Sequence, residues 1–539
     1  MYKKVFKIKE KYLIFPISNK VKKHKVWVSE EDKVLYDLDL RLSQDFEYLT
    51  WLNVEQKVGK EITFSCEEMG VCDLIYQSKD LPNDLYEEKY RPYFHFTPSR
   101  GWVNDPNGLF FANGKYHIFY QHNPYDVRWG NMHWGHSCSE DLFSWKDEGE
   151  ALFPDENGTM FSGCAIYDKN NVTGLGTKEN PPSLLYYTCA GGDNSISSGK
   201  KFTVCIAYSI DGINYVKYDK NPVVENIVFG NRDPKVVWCE EYNKWIMVLF
   251  LQPFEFAFLS STNLIDWNQE SVIDLPTMNE CPDFFPLEDT GKWVFLSGAD
   301  FWGDKSVGKY VIGDFDGNKM SNLEGPYLID LGREFYSLQT FDNDRLNRRI
   351  LLGWRTRNFF VPEVNKMPFN GEYSIPTTLT SCYIDGKLRI KRYPVEEFFN
   401  LAGEELYSIE NKCFNAVEED AHVVDLSAGE SYSVELSFKP KQNSMTVILI
   451  AGEEIVYNLE TQSLLCLGKS IKVPTDTNGM INLLIARDVV SLEVFVQKGE
   501  YVLSGYIKPS NEGINIDVYR GINEEMNVNI KAIYRTYKR

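Results

Sequence analysis

Short runs of aromatic and β-branched residues, each closed by Gly, Asn, Asp or Pro, set the rhythm of the chain: "KYHIFYQ", "SLLYYTCA", "KFTVCIAYS", "KWIMVLFL", "FEFAFLS" and "KWVFLSGA". Runs of this kind predict strands, and with long amphipathic helical patterns nearly absent the chain reads as all-β. Three segments, each following a strand, are alike: "SEDLFSW" (Ser139 to Trp145), "SIDGINY" (Ser209 to Tyr215) and "STNLIDW" (Ser261 to Trp267). A strand, a polar turn and a packing aromatic recurring in this way indicate one supersecondary unit used repeatedly, as in four-stranded propeller blades. The plainer alternative, that Ser-Asp turns are frequent in any β protein, stays open on the sequence.

The flanks differ from this middle. Residues 1 to about 85 carry their own alternation, as in "YDLDLRL", where Tyr36, Leu38, Leu40 and Leu42 share one face, so a small N-terminal β module is predicted. After "YPVEEFFNL", read as a short helix from Pro394 to Leu401, alternating strands return ("SYSVELSF", "SLEVFVQKGEYVLSGYI"), which predicts a C-terminal β-sandwich.

Composition narrows the function. At 539 residues the chain is long enough for two or three domains, and 43% hydrophobic with 14% aromatic residues it has the material for packed cores. Asp and Glu outnumber Lys and Arg 77 to 57, a net charge of −20 that argues against nucleic acid. A neutral, hydroxyl-rich ligand suits such a surface better. No segment has the length of a membrane-spanning helix, and the apolar run Tyr12 to Ile17 is too short for a signal-peptide core. Eleven scattered cysteines without Cys-x-x-Cys spacing read as free thiols, which places the protein in the cytoplasm. "HWGH" (His133 to His136) is read as structural, with no third metal ligand, and "CLGKS" lacks the first glycine of a phosphate loop. No metal and no cofactor is expected.

Candidate chemistry lies where polar turns meet apolar strands. In "GWVNDPNGLFF", Asp105 precedes Pro106; in "GNRDPKVVW", Asp233 precedes Pro234 and follows Arg232; in "TMNECPDFFPL", Glu280 stands at a third such boundary. Each acid alone is an ordinary turn residue. Three acids at matching places on three blades are what glycoside hydrolysis needs, one carboxylate to attack or to stabilise the cationic carbon and one carboxylic acid to protonate the leaving oxygen. Cys281, beside Glu280, is read as packing.

Taken in order, "WVNDPNG", "YQHNP", "WGNMHWGHSCSEDLFSW", "FSGCA", "RDPKV", "NECPD" and "FYSLQTF...RRILLGW" resemble glycoside hydrolase family 32, the β-fructosidases, over about Arg91 to Leu401. The resemblance implies a five-bladed β-propeller with an axial active site followed by a β-sandwich, with divisions at 1–88, 89–393, a linker at 394–408, and 409–539. It also implies a retaining exo-hydrolysis of terminal β-fructofuranosyl units from sucrose, fructo-oligosaccharides or fructans. By motif, Asp105 matches the nucleophile, Glu280 the general acid/base and Asp233 the carboxylate that holds fructose hydroxyls. Asn104, Gln121, Trp129, Phe161, Ser162 and Arg232 match positions lining the fructose subsite; Trp129 is preferred to Trp134 on alignment alone.

A retaining pair stands about 5 to 5.5 Å apart, and the charges of Asp105 and Asp233 are expected to raise the pKa of Glu280. Phe369 falls where the family carries a pocket tryptophan, which leaves substrate length open. The N-terminal module resembles extra domains of some fructan-degrading members; capping the pocket, forming dimers and stabilising the chain all remain open for it. Sucrose-6-phosphate hydrolysis, with cations from "WRTRNFFVPEVNK" (Trp354 to Lys366), and fructosyl transfer are the enzymatic alternatives; a carbohydrate-binding propeller without catalysis is the non-enzymatic one. The sequence leaves a homo-oligomer open.

Overall fold

The computed structural model describes residues 1–31, 33–299, 306–355, 366–510 and 512–537. Almost all regular structure is strand, and the predicted short helix is present at Glu396–Phe399. No helix among the described residues is long and apolar enough to cross a membrane.

Five strands line a central axis: Gly101–Ala112, Thr159–Tyr167, Arg232–Cys239, Asn279–Leu287 and Glu334–Thr340. Each touches the next, and the fifth touches the first, so the ring is closed. Each is the inner strand of a meander of antiparallel partners running outward, the layout of a five-bladed propeller. A strand from near the end of the propeller segment, Phe369–Asn370, pairs in parallel with Gly101 and Trp102 and so ties the last blade to the first.

The local repeat read from the sequence is one turn used three times. In the first three blades it joins the third strand to the fourth, and an acid or amide side chain caps the turn: Asp141 Oδ1 accepts from the backbone of Phe143 at 2.9 Å, Asp211 Oδ1 from Ile213 at 2.8 Å, and Asn263 Oδ1 from Ile265 at 3.0 Å. The residue after each cap has positive φ, at Leu142 (68°), Gly212 (75°) and Leu264 (64°), so the Leu/Gly position is set by backbone shape.

The inner strands share a second irregularity. Every one breaks register with its neighbour at a matching place, between Val103 and Pro106, Phe161 and Gly163, Arg232 and Lys235, Asn279 and Asp283, and Tyr336 and Gln339, and the first strand breaks once more between Asn107 and Phe110. Such bulges bend a strand and re-aim its side chains, and here five act at corresponding positions on the five inner strands. Gly163 shows how closely the chain is packed there, since a Cβ would lie 1.9 Å from the Tyr186 carbonyl oxygen.

The C-terminal part is a sandwich around a core that includes Val434, Ile448, Ile485, Val494 and Ile516. The strand Ala402–Ala416 runs through the stretch expected to be a linker up to residue 408, and pairing starts at Ala402 with Ile533. The N-terminal module consists of a four-stranded and a three-stranded sheet. Its core holds Phe15, Leu38, Leu40 and Phe64, and it also takes in Tyr125 and Val127 from the propeller.

Candidate active site

The three acids singled out in the sequence converge. Asp105, Asp233 and Glu280 stand at the register breaks of the first, third and fourth inner strands. Two of them are held in the left-handed region, Asp233 at φ 61° and Glu280 at φ 49°, with Cys281 following at 44°. Non-glycine residues there cost of order 1–3 kcal/mol each, and the surrounding strands are what hold them.

The thiol of Cys281 joins two of the acids. Its Sγ lies 3.5 Å from Asp105 Oδ2 and 3.6 Å from Asp233 Oδ2, and its backbone N–H donates to Asp233 Oδ2 at 3.1 Å. Burial, with three acids around it, pushes the thiol pKa far up, so it stays protonated and serves as a donor. Reading Cys281 as packing therefore missed its contacts, which the sequence signals only by its place next to Glu280.

Each acid has its own further support. Ser162 Oγ donates to Asp105 Oδ2 at 2.6 Å. Arg232 Nη2 donates to Glu280 Oε1 at 2.8 Å, and Tyr336 O–H donates to Glu280 Oε2 at 3.3 Å. Arg232 Nε lies 3.7 Å from Asp233 Oδ2, so one guanidinium serves two carboxylates. Tyr336 comes from the quoted segment "FYSLQTF" but was not predicted as a site residue, because its register break is visible only in three dimensions.

The electrostatics single out Asp233: burial first, with Asp105 and Glu280 adding to it against the opposing effect of Arg232, pushes its pKa up to about 7. It is the deeper of the two acids that Arg232 faces. Asp233 is 3% exposed, while the Glu280 side chain is 21% exposed and faces its guanidinium.

The remaining predicted residues fall around this centre. Trp102 Nε1 donates to Asn104 Oδ1 at 2.9 Å, and Gln121 Nε2 donates to the Met160 carbonyl at 2.7 Å, so both amides are buried and fixed. Phe161 packs edge-on against Trp129 at 5.8 Å and against Phe202 at 5.5 Å, giving an aromatic wall beside Ser162. Trp129 is half-exposed, whereas Trp134 is fully buried and spends its N–H on the Phe161 carbonyl at 3.0 Å, which separates the wall residue from the packing residue. Phe369 is buried under the Arg91 guanidinium, 3.6 Å from its ring centre, rather than at a rim.

One histidine of "HWGH", His136, does have ligand-type neighbours, contrary to expectation. His136 Nε2 lies 3.1 Å from His117 Nδ1, and Cys138 Sγ lies 3.4 Å and 3.3 Å from the two, a spacing that could hold a metal ion. The trio is sealed between Phe110 and Phe119, and burial lowers the His117 pKa to about 4 and raises that of Cys138 to about 12. Neutral side chains hydrogen-bonding one another account for that arrangement without an ion.

Three carboxylates at one end of a propeller axis, flanked by an aromatic wall and fixed amides, define a carbohydrate-processing site of the carboxylate type. Residues 95–391 match the family model described as "Glycosyl hydrolases family 32 N-terminal domain". A levanase of Bacillus subtilis is 32% identical over 83% of this chain and 70% of its own length, and an extracellular exo-inulinase of Aspergillus ficuum is 29% identical over 84% of this chain and 96% of its own. Among solved structures, the exo-inulinase of Aspergillus awamori superposes with a TM-score of 0.75 at 27% identity, covering 84% of this chain and all of that one. The chain belongs to glycoside hydrolase family 32.

Proposed function

We propose that the protein is a retaining exo-β-fructosidase that releases terminal β-fructofuranosyl residues from fructo-oligosaccharides, fructans or sucrose through a covalent fructosyl-enzyme intermediate. The observation that carries the reading is the meeting of Asp105, Asp233 and Glu280 around the Cys281 thiol and the Arg232 guanidinium. Relatives named levanase, exo-inulinase and invertase support it.

In this reading Asp105, aimed by its bulge and steadied by Ser162, attacks the anomeric carbon of fructose. Glu280 protonates the leaving oxygen, then takes a proton from the water that frees the enzyme. Arg232 and Tyr336 each hold one of its oxygens. Asp233, buried between them, accepts from fructose hydroxyls, and its negative charge stabilises the oxocarbenium-like transition state. All of this is carboxylate chemistry.

The phosphate alternative loses one of its cations, since Arg355 is buried against Glu372 and Glu493. Thr356 to Asn365, the rest of that cationic loop apart from Trp354 and Lys366, lies outside the described residues. Placement in the cytoplasm is likewise a proposal, supported by eleven free thiols, Cys66 and Cys72 among them at 3.3 Å.

The test is fructose release from sucrose, sucrose 6-phosphate, 1-kestose, inulin and levan, with proton NMR of the first-formed anomer. Release of β-fructose is expected; α-fructose would exclude retention, and release from none of the panel would overturn the reading.

A further inference from the structure

The aromatic wall is not held by the propeller alone. Trp129 lies in the segment 124–131 between two strands of the first blade, and that segment is sewn into the N-terminal module by Tyr125 to Arg128 on one side of Trp129 and by Asn131 on the other. Tyr125 and Val127 are 1% and 3% exposed and belong to the module's core, with the Tyr125 ring 5.4 Å from that of Phe15. Between them, Asp126 Oδ2 pairs with Arg41 Nε at 2.8 Å, a nearly buried ion pair. Arg128 Nη1 donates to Asn19 Oδ1 at 2.9 Å. Beyond Trp129, the Asn131 amide grips the backbone of Asp39 from both sides, accepting its N–H at 2.7 Å and donating to its carbonyl at 3.0 Å.

The module also reaches the other flank of the wall. Trp27 Nε1 donates to Ser195 Oγ at 3.1 Å, and Asp37 Oδ2 accepts the Ser195 N–H at 3.3 Å. Ser195 stands in the loop that precedes Phe202, and Asp193 of that loop accepts from the Thr159 hydroxyl at 2.6 Å, two residues before Phe161. Both rings that pack on Phe161 are thus carried by segments tied to one module, which itself lies before the family segment beginning at residue 95.

We propose that the N-terminal module is a positioning element for substrate binding: it braces the segments carrying Trp129 and Phe202 and so sets the position of the wall against which the sugar rests. The wall is apolar, and the ligand that suits it is the carbon-bound face of a furanose ring. The catalytic acids stand on the inner strands, away from these braces, so the brace acts on binding and leaves the chemical step alone. Asp126, Arg41 and Asn131 touch the wall only through the backbone they fix.

The inference rests on the β-fructosidase reading for its kinetic arm, and the test keeps the two apart. Arg41→Met with Asn131→Gly removes the two clamps on either side of Trp129; glycine is chosen because Asn131 has a φ of 44°. Amide hydrogen exchange over residues 124–131 is expected to quicken by ~10-fold or more, since local opening follows the loss of local contacts. On 1-kestose or sucrose, KM is expected to rise ~5-fold or more with kcat within about twofold of wild type, the mark of lost binding rather than lost chemistry. Arg41→Lys should restore part of the loss, and Trp27→Phe should produce a smaller rise in KM.

Unchanged exchange at 124–131 would overturn the proposal. So would a fall in melting temperature and kcat with KM unchanged, because a merely structural module loses active molecules without altering their affinity. If the wild-type enzyme hydrolyses no fructoside, the function proposed above fails and the exchange measurement alone decides the brace.

Discussion

Two buried clusters of charge in this molecule are built to opposite plans. At the active site three acids meet with one guanidinium among them: Arg232 faces Asp233 and Glu280, while Asp105 faces the Ser162 hydroxyl and the Cys281 thiol. At the junction of propeller and sandwich each buried cation faces at least one acid of its own. His95 Nδ1 is 2.9 Å from Asp488 Oδ2 and Nε2 is 3.0 Å from Glu493 Oε1; Glu493 also pairs with Arg355 at 3.4 Å and accepts the Ile375 N–H at 2.9 Å. Arg392 pairs with Asp330, and Asp488 takes the backbone N–H of Tyr93 at 2.8 Å. The titrations follow the plans. Despite complete burial, Glu493 is held down to about 2 and His95 up at about 9 by their mutual partners, whereas Asp233 is pushed up to about 7. A buried charge with partners joins domains, and a buried charge short of partners is reserved for a ligand.

The largest effect that would break this contrast is on turnover. Asp105→Asn and Glu280→Gln should each lower kcat by ~10³-fold or more, about 4 kcal/mol of transition-state stabilisation, with little change in melting temperature. Azide is expected to restore activity to neither variant fully, but to leave a fructosyl azide product with Glu280→Gln if that residue is the acid/base. Near-normal kcat in either variant would remove that residue from the mechanism and with it the reason for the crowding.

At the junction the same kind of substitution should act on the fold. Glu493→Gln keeps the shape and removes the charge that His95, Arg355 and Arg392 share, and leaving buried cations short of a partner costs about 3–5 kcal/mol. Denaturant unfolding would register it, and kcat per folded molecule should not move. A neutral effect on stability would mean that the network does not couple the domains.

These two regions were not equally legible. The active-site acids stand out in the sequence because each is locally odd, an acid at a Pro-containing turn where a strand begins, repeated blade after blade. Their partners are less visible: Cys281 and Tyr336 look like core residues until the register breaks turn them inward. The junction is silent in the sequence. His95 sits in "YFHFTP" without a neighbouring acid, and its partners lie 393 and 398 residues further on. Propeller and sandwich could be foreseen from strand rhythm and motif, but the grip of the N-terminal module on the Trp129 segment depends on packing between distant strands, which periodicity does not encode.

The pH dependence sharpens the contrast further. His95 has a folded pKa of about 9 against an ordinary 6.5, so its contribution is complete below 6.5 and is lost as pH rises through 9. Glu493 has a folded pKa of about 2 against 4.5, so its contribution is present above 4.5 and is lost as pH falls towards 2. The junction is therefore strongest between these limits, and raising the pH to 10 should remove about 3 kcal/mol that a His95→Asn variant never had. Parallel stability curves for the two proteins from pH 6 to 10 would contradict the assignment of His95 as a buried cation.

The smallest effect has the opposite sign and bears most directly on the active site. The folded pKa of Asp233 is about 7 against 3.8, an acid raised by burial, so ionising it costs the fold stability as pH climbs from 3.8 to 7, and the full cost stays in place above that. Asp233→Asn removes the charge, and asparagine tolerates the positive φ of 61° as well as aspartate does. The attraction to Arg232 and the bond from the Cys281 N–H already oppose the rise and are contained in that folded pKa, and the burial of the asparagine amide in their place offsets part of the gain. The balance should be a protein about 1–2 kcal/mol more stable than wild type at pH 8, indistinguishable from it near pH 4, and severely impaired in catalysis. Thermal melts of both proteins at the two pH values decide it. If Asp233→Asn is the less stable protein at pH 8, Arg232 fully compensates the carboxylate, and the active-site charge is paired as the junction charges are.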